Sequence, residues 1–97
     1  MKRAIPEFIT NLGKNFATRE YSKSEKDALL NYMNNKGELF AAGGYVDDIM
    51  TGKETRIESA GFRDEEFEWS TFDIYHIEKY NAAVTTEFLN HVLKKLN

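Results

Sequence analysis

The sequence predicts a single α+β domain that spans residues 1–97. Apolar residues recur at helical spacing near both ends, aromatic and β-branched residues dominate the middle, and 97 residues suffice for one modest core. The expected order is two N-terminal helices, a three-stranded antiparallel meander, and one or two C-terminal helices packed on one sheet face.

The first helix is predicted to begin at Ile5-Pro6, because proline is tolerated in a first turn, where its missing N–H has no partner. Gly13 lowers the helix propensity, so we expect the helix to fray or end near it. The apolar face of this helix comprises Ile5, Phe8, Ile9, Leu12 and Phe16.

The second helix is predicted to begin at Ser24, where Ser24-Glu25-Lys26-Asp27 has the spacing of a capping box. Gly37 is the expected left-handed residue that ends it. Its buried stripe comprises Ala28, Leu29, Tyr32 and Met33.

Three strands are predicted in the middle of the chain: Leu39–Met50, Thr55–Phe62 and a third around Phe67 and Trp69. Gly43-Gly44 indicates a bulge or a close backbone approach within the first strand. Polar turns separate the strands at Thr51-Gly52-Lys53-Glu54 and at Asp64-Glu65-Glu66.

Thr71–Tyr80 fits two structures. Phe72, Ile74 and Tyr75 would suit a long third strand. Ser70-Thr71-Phe72-Asp73 has capping-box spacing, however, and a helix is the preferred interpretation.

The last helix shows the clearest amphipathic pattern. Thr85 or Thr86 caps it, and Lys94 and Lys95 lie at its C-terminal end, where the helix dipole favours cations. Its apolar stripe comprises Phe88, Leu89, Val92, Leu93 and Leu96.

Composition excludes several classes of function. The chain has no cysteine, so it has no disulfide and no thiolate site. No run approaches the ~20 apolar residues of a membrane span, and we expect a cytoplasmic protein.

Charge is distributed unevenly along the chain. Residues 1–36 carry seven Lys/Arg and four Asp/Glu, whereas residues 37–93 carry four Lys/Arg and twelve Asp/Glu. This acidic body argues against direct nucleic-acid binding.

Tyr45-Val46-Asp47-Asp48 is similar to the aromatic-Val-Asp-Asp hairpin of reverse transcriptases, in which two aspartates hold metal ions. The likeness covers four residues. Two-metal chemistry needs carboxylates from separate elements around ions ~4 Å apart, and only Asp27 precedes the pair as a further aspartate. Adjacent strand residues also face opposite ways. We therefore predict no nucleotidyl transfer and one exposed aspartate. The sequence also has no nucleophile-elbow pattern and no phosphate-loop spacing, so we predict no enzymatic activity.

Two acid–histidine pairs indicate an alternative function. Asp73 lies three residues before His76, and Glu87 lies four before His91, so each pair would share a helix face. Such pairs from two helices can form a metal site, although acid–histidine pairs are also common on helix surfaces. A small metal-binding protein or enzyme is thus an alternative; no cofactor is part of the preferred prediction.

The preferred prediction is a small accessory protein that binds another protein. Aromatic residues lie among acids from Phe62 to Tyr80, and tyrosine and tryptophan are enriched in binding hot spots. An acidic inhibitor that imitates nucleic-acid phosphates is a further alternative, and an exposed sheet edge could pair two copies into a dimer. The expected contact residues are Glu65, Glu66 and Glu68, with Tyr75 and Tyr80 as anchors.

Overall fold

The computed structural model describes residues 1–6 and 16–96. Within them the chain forms four strands and three helices, which confirms the α+β class. The first predicted helix falls mainly on residues 7–15, which lie outside the described residues. In chain order the elements are β1 (Lys2–Arg3), α1 (Lys23–Asn35), β2 (Glu38–Asp47), β3 (Glu54–Arg63), β4 (Phe67–Ser70), α2 (Thr71–Tyr80) and α3 (Thr86–Lys95).

The sheet is mixed and has four strands in the order β1-β4-β3-β2, so the prediction of three antiparallel strands is wrong in this respect. β2, β3 and β4 form the expected antiparallel meander, and β1 adds to β4 in parallel. The N–H of Lys2 donates to the carbonyl of Glu66 at 3.1 Å, and that of Ala4 to the carbonyl of Glu68 at 3.0 Å. A two-residue strand carries no alternation pattern, which is why the sequence did not predict β1.

The N-terminal cap of α1 is Ser22, so the prediction of Ser24 is wrong by two residues. Ser22 Oγ accepts a hydrogen bond from the N–H of Glu25 at 3.1 Å, and Glu25 Oε1 accepts one from the N–H of Ser22 at 3.0 Å. This reciprocal capping box satisfies two donors that a helix start leaves unpaired. Glu25 therefore closes a box that begins at Ser22, not the predicted box from Ser24 to Asp27.

Gly37 does not end α1 as a left-handed residue, because the C-terminal cap is Lys36 in a right-handed conformation. A glycine occupies this position because a larger side chain would not fit. A Cβ atom on Gly37 would lie 2.6 Å from Trp69 Cζ2 and 2.8 Å from Phe62 Cβ. The chain therefore passes against the core aromatics at a point where only a hydrogen atom fits.

Thr71–Tyr80 forms the helix α2, which confirms the preferred interpretation of this segment. Ser70 and Asp73 make a second reciprocal capping box, and Asn81 ends the helix in the left-handed region with a φ of 57°. Thr85 caps α3 by accepting from the N–H of Phe88 at 3.0 Å.

The core lies where β4 meets α1 and α3. Phe67 and Trp69, two residues apart on β4, share one sheet face, and their ring centroids lie 5.0 and 5.6 Å from that of Phe88 on α3. Trp69 Nε1 donates to the carbonyl of Met33 at 2.9 Å, which satisfies its buried polar atom. Each buried large apolar side chain contributes about 1.5–3 kcal/mol, so this cluster holds α1 and α3 against the sheet.

Candidate functional site

The three acids predicted to meet a partner are paired within the chain. Glu68 Oε1 lies 2.9 Å from Arg3 Nη1, and Glu66 Oε2 lies 3.9 Å from Lys2 Nζ. Glu65 pairs with Lys95. Because β1 and α3 supply these cations, the acidic turn is partly neutralised where the sequence suggested an open acidic patch.

The two predicted anchors, Tyr75 and Tyr80, are half-buried and turn their hydroxyl groups inward. Their hydroxyls donate to Asp48 Oδ2 at 2.6 and 2.7 Å. The N–H of Met50 donates to Asp48 Oδ1 at 2.8 Å, so the carboxylate is held on several sides. This cluster connects the end of β2 to α2, which gives the tyrosines a structural role.

Burial alone would raise the pKa of the Asp48 carboxyl, but the hydrogen bonds from Tyr75, Tyr80 and the backbone outweigh it and hold the pKa below its ordinary value. Asp48 is 3% exposed, whereas its neighbour Asp47 is exposed. The expectation of one exposed aspartate is confirmed. The two carboxylates do not converge, which leaves the tetrapeptide without the geometry of a two-metal site.

The first predicted acid–histidine pair is not assembled. His76 is fully buried, and its Nδ1 donates to the carbonyl of Phe72 at 2.7 Å while its Nε2 accepts from the N–H of Ile49 at 3.0 Å. Both ring nitrogens therefore have backbone partners. Burial lowers the pKa of His76, which is consistent with a neutral ring. Asp73 caps α2 by accepting from the N–H of Ser70 at 3.0 Å.

The second pair is also not assembled, because each residue has another partner. Glu87 Oε2 lies 2.9 Å from Lys2 Nζ. His91 Nε2 instead donates to Asp64 Oδ2 at 2.8 Å, and the hydroxyl of Tyr32 donates to the same oxygen at 2.5 Å. Spacing along α3 singled out His91 but predicted Glu87 as its partner. Its partner comes from the β3–β4 turn and could not be found from helical spacing.

Sequence reasoning missed the surface of the β2–β3 hairpin. β4 pairs only with residues 61–63 of β3, so the outer part of the hairpin has no third strand among the described residues. Leu39 is 60% exposed and Tyr45 is 51% exposed, although β2 is rich in apolar residues. Contiguous exposed apolar surface is a common feature of interaction sites, which makes the hairpin the candidate site.

One face of the hairpin carries an open apolar groove of about 570 Å³. Three cross-strand pairs define this face: Leu39 with Phe62, Ala42 with Ala60, and Tyr45 with Glu58. Directly opposed residues place their side chains on the same side of a sheet. We call the groove formed by these six residues the hairpin groove.

The backbone of β2 is irregular beside this groove. The register shifts between Ala42 and Tyr45, and Gly44 has a φ of 75°, which confirms the predicted bulge at Gly43-Gly44. Two further shifts lie between Leu39 and Ala41 and between Tyr45 and Asp47. Bulges bend a strand and increase its local right-handed twist.

Comparisons with known proteins add no functional information, since no family model, no curated protein and no solved structure matches this chain. Within the described residues, no helix combines the length and apolar character needed to cross a membrane.

Proposed function

We propose that this protein is a non-enzymatic binding module that holds an extended segment of a partner protein along β2. The observation that supports it most is the edge position of β2, which is ten residues long, ends the sheet and is exposed throughout except at Val46. Outward-facing backbone groups of an edge strand readily pair with an added strand. The hairpin groove would receive the side chains of that segment.

Charge on β2 indicates the chemistry of the partner. The only charged residues of the strand are Glu38 and Asp47, one at each end. Among the described residues neither acid takes part in an ion pair. The complementary segment is therefore apolar in its centre, where it meets Leu39 and Tyr45, and basic at both ends.

The same charges disfavour a second copy of this chain as the occupant. Full antiparallel pairing of two β2 strands would place Glu38 of each copy opposite Asp47 of the other. Like charges directly opposite each other destabilise a strand pair.

The proposed contact surface is β2 and the hairpin groove, and it does not include the contact residues predicted from the sequence, which are Glu65, Glu66, Glu68, Tyr75 and Tyr80. Those acids already pair with cations of this chain, and the tyrosine hydroxyls already bind Asp48. A nucleic-acid mimic needs free acids in a regular array, so the alternative of an acidic inhibitor has less support than a strand-binding module.

The experiment that tests this function is site-specific photo-crosslinking in the native host. A photoreactive phenylalanine replaces Tyr45, which borders the hairpin groove, and Asn90, an exposed residue of α3, in a matched control. The segment crosslinked at position 45 is identified by mass spectrometry and synthesised as a peptide. We expect an apolar segment flanked by basic residues, crosslinked from position 45 and not from position 90.

Affinity for the synthetic peptide then tests the charge argument. We expect Glu38→Lys with Asp47→Lys to weaken binding at least tenfold. Equal affinity of the reversed variant would contradict the proposed pairing. A crosslink between two copies of this chain would overturn the choice of occupant, and equal crosslinking from both positions would overturn the site.

A further inference from the structure

Three side chains of metal-binding type meet at the β3–β4 turn. Asp64, Glu65 and His91 each offer one ligand atom, and these atoms lie within 4.8 Å of one another. They are the one group of three such residues found within the described parts of the chain. We propose that they bind a single divalent transition-metal ion, a site that joins the turn to α3.

The positions of two of the ligands are fixed by their surroundings. Asp64 Oδ1 accepts hydrogen bonds from the N–H groups of Glu66 and Phe67, both at 2.8 Å, which leaves Oδ2 facing His91. The side chains of Asp64 and His91 are 4% and 9% exposed, so the surrounding packing restricts both. Metal ligands held by such outer contacts need little rearrangement to bind.

Metal binding requires the His91 tautomer with its proton on Nδ1, since Nε2 must offer its lone pair to the ion. Glu66 Oε1 lies 4.0 Å from Nδ1 and belongs to an exposed side chain, so a small rotation brings it to accept that proton. A carboxylate on the far nitrogen of a ligating histidine is the usual outer partner in metal sites. The ion would take the place of the hydrogen bond from Nε2 to Asp64.

A cleft of about 290 Å³ gives access to the cluster and is bordered by Tyr32, Asp64, Glu65 and Lys95. Lys95 now pairs with Glu65, and both side chains are about half exposed, at 45% and 58%. An exposed ion pair of this kind contributes little. The Lys95 ammonium group competes with a metal ion for the Glu65 carboxylate, and an ion can therefore displace it.

The donor set decides the class of metal. One imidazole nitrogen and two carboxylate oxygens suit Zn²⁺, Co²⁺ or Mn²⁺, whereas Ca²⁺ and Mg²⁺ prefer oxygen ligands alone. Three protein ligands leave a fourth tetrahedral position open to water.

Calorimetric titration with Zn²⁺, together with the visible absorption of bound Co²⁺, tests the proposal on the full chain. We expect one Zn²⁺ per chain at micromolar concentration, a rise in Tm on binding, and at least tenfold weaker binding in His91→Ala. Glu65→Gln changes an exposed side chain, so it keeps the fold and should weaken binding similarly. Lys95→Ala removes the competing cation and should strengthen binding.

The matched control is Glu87→Gln, because Glu87 lies on the same helix as His91 and pairs with Lys2 instead. This variant should bind Zn²⁺ as the unmodified chain does. No heat and no Co²⁺ spectrum at micromolar metal would overturn the proposal. Unchanged affinity in both His91→Ala and Glu65→Gln would also overturn it.

Discussion

The hydroxyl of Tyr80 lies 2.7 Å from Asp48 Oδ2, and this hydrogen bond fastens the end of α2 to the residue that follows β2. It is one of several hydrogen bonds to the buried Asp48 carboxylate, and it fixes the position of the chain where the β2–β3 hairpin leaves the core. The hairpin can therefore extend beyond the core while this end of β2 stays in place. The rigidity of the proposed binding surface thus depends on residues that do not contact the partner.

Tyr80→Phe should lower the free energy of unfolding, because it removes one of the hydrogen bonds to the Asp48 carboxylate. Urea denaturation followed by circular dichroism measures the change. Tyr45→Phe is the matched control, since Tyr45 is exposed, and should change stability by less than about 0.5 kcal/mol. Equal stability of both variants would show that Asp48 does not need the Tyr80 hydroxyl.

Gly37→Ala should destabilise the fold by about 1–3 kcal/mol through overpacking. The added Cβ would lie 2.6 Å from Trp69 Cζ2 and 2.8 Å from Phe62 Cβ, so the backbone or these side chains would have to shift. Urea denaturation gives the value, and the fluorescence of the single tryptophan reports the shift of its ring. Lys36→Ala, at the exposed neighbouring residue, serves as the control. A stabilised Gly37→Ala variant would contradict the close approach.

Stability should fall as the pH rises from about 4 toward 7 because of Asp73. Burial raises the pKa of Asp73 from 3.8 to about 7 in the folded chain. A group with a raised pKa binds its proton more tightly when folded, so its contribution is fully present below 3.8 and is lost as the pH passes the folded value. Asp48 has a lowered pKa, and its contribution is lost only as the pH falls below its ordinary range.

Asp73→Asn should flatten this dependence, since asparagine does not ionise. Urea unfolding at a series of pH values, for the chain and the variant, measures both slopes. A slope that persists in Asp73→Asn would assign the pH dependence to another group. Carboxyl carbon chemical shifts give the pKa of Asp73 directly.

Leu39→Ser and Tyr45→Ser should each weaken binding of the crosslinked peptide by at least about 2 kcal/mol, as expected for hot-spot residues. Both side chains are more than half exposed, so stability should hold within about 0.5 kcal/mol. Leu96→Ser is the matched control, because Leu96 is 55% exposed at the end of α3, away from the hairpin. Loss of binding in the Leu96 variant alone would place the contact elsewhere.

The elements that could be predicted are those with a local signal. Helical periodicity and caps predicted α1, α2 and α3, and composition with turn residues predicted β2, β3 and β4. β1 could not be predicted, because it exists only through backbone pairing with β4, far along the chain. The role of Gly37 could not be predicted for the same reason, because the Trp69 ring that it packs against is remote in sequence.

The candidate site shows the same limit. Helical spacing singled out His91 but paired it with Glu87, whereas its partner Asp64 is 27 residues away. Tyr75 and Tyr80 were expected to be anchors because tyrosine is enriched at interfaces, yet a buried carboxylate binds both hydroxyls. The exposure of Leu39 and Tyr45 could not be predicted, since no local pattern shows where the covering layer of a sheet ends.

Hydrogen–deuterium exchange with and without the crosslinked peptide tests the central claim most directly. Residues 38–47 form the free edge, and residues 64–68 contain the acids first expected to bind. If β2 holds the partner segment, the peptide slows amide exchange within residues 38–47 and leaves exchange in residues 64–68 unchanged. Protection confined to residues 64–68, with unchanged exchange in β2, would contradict it.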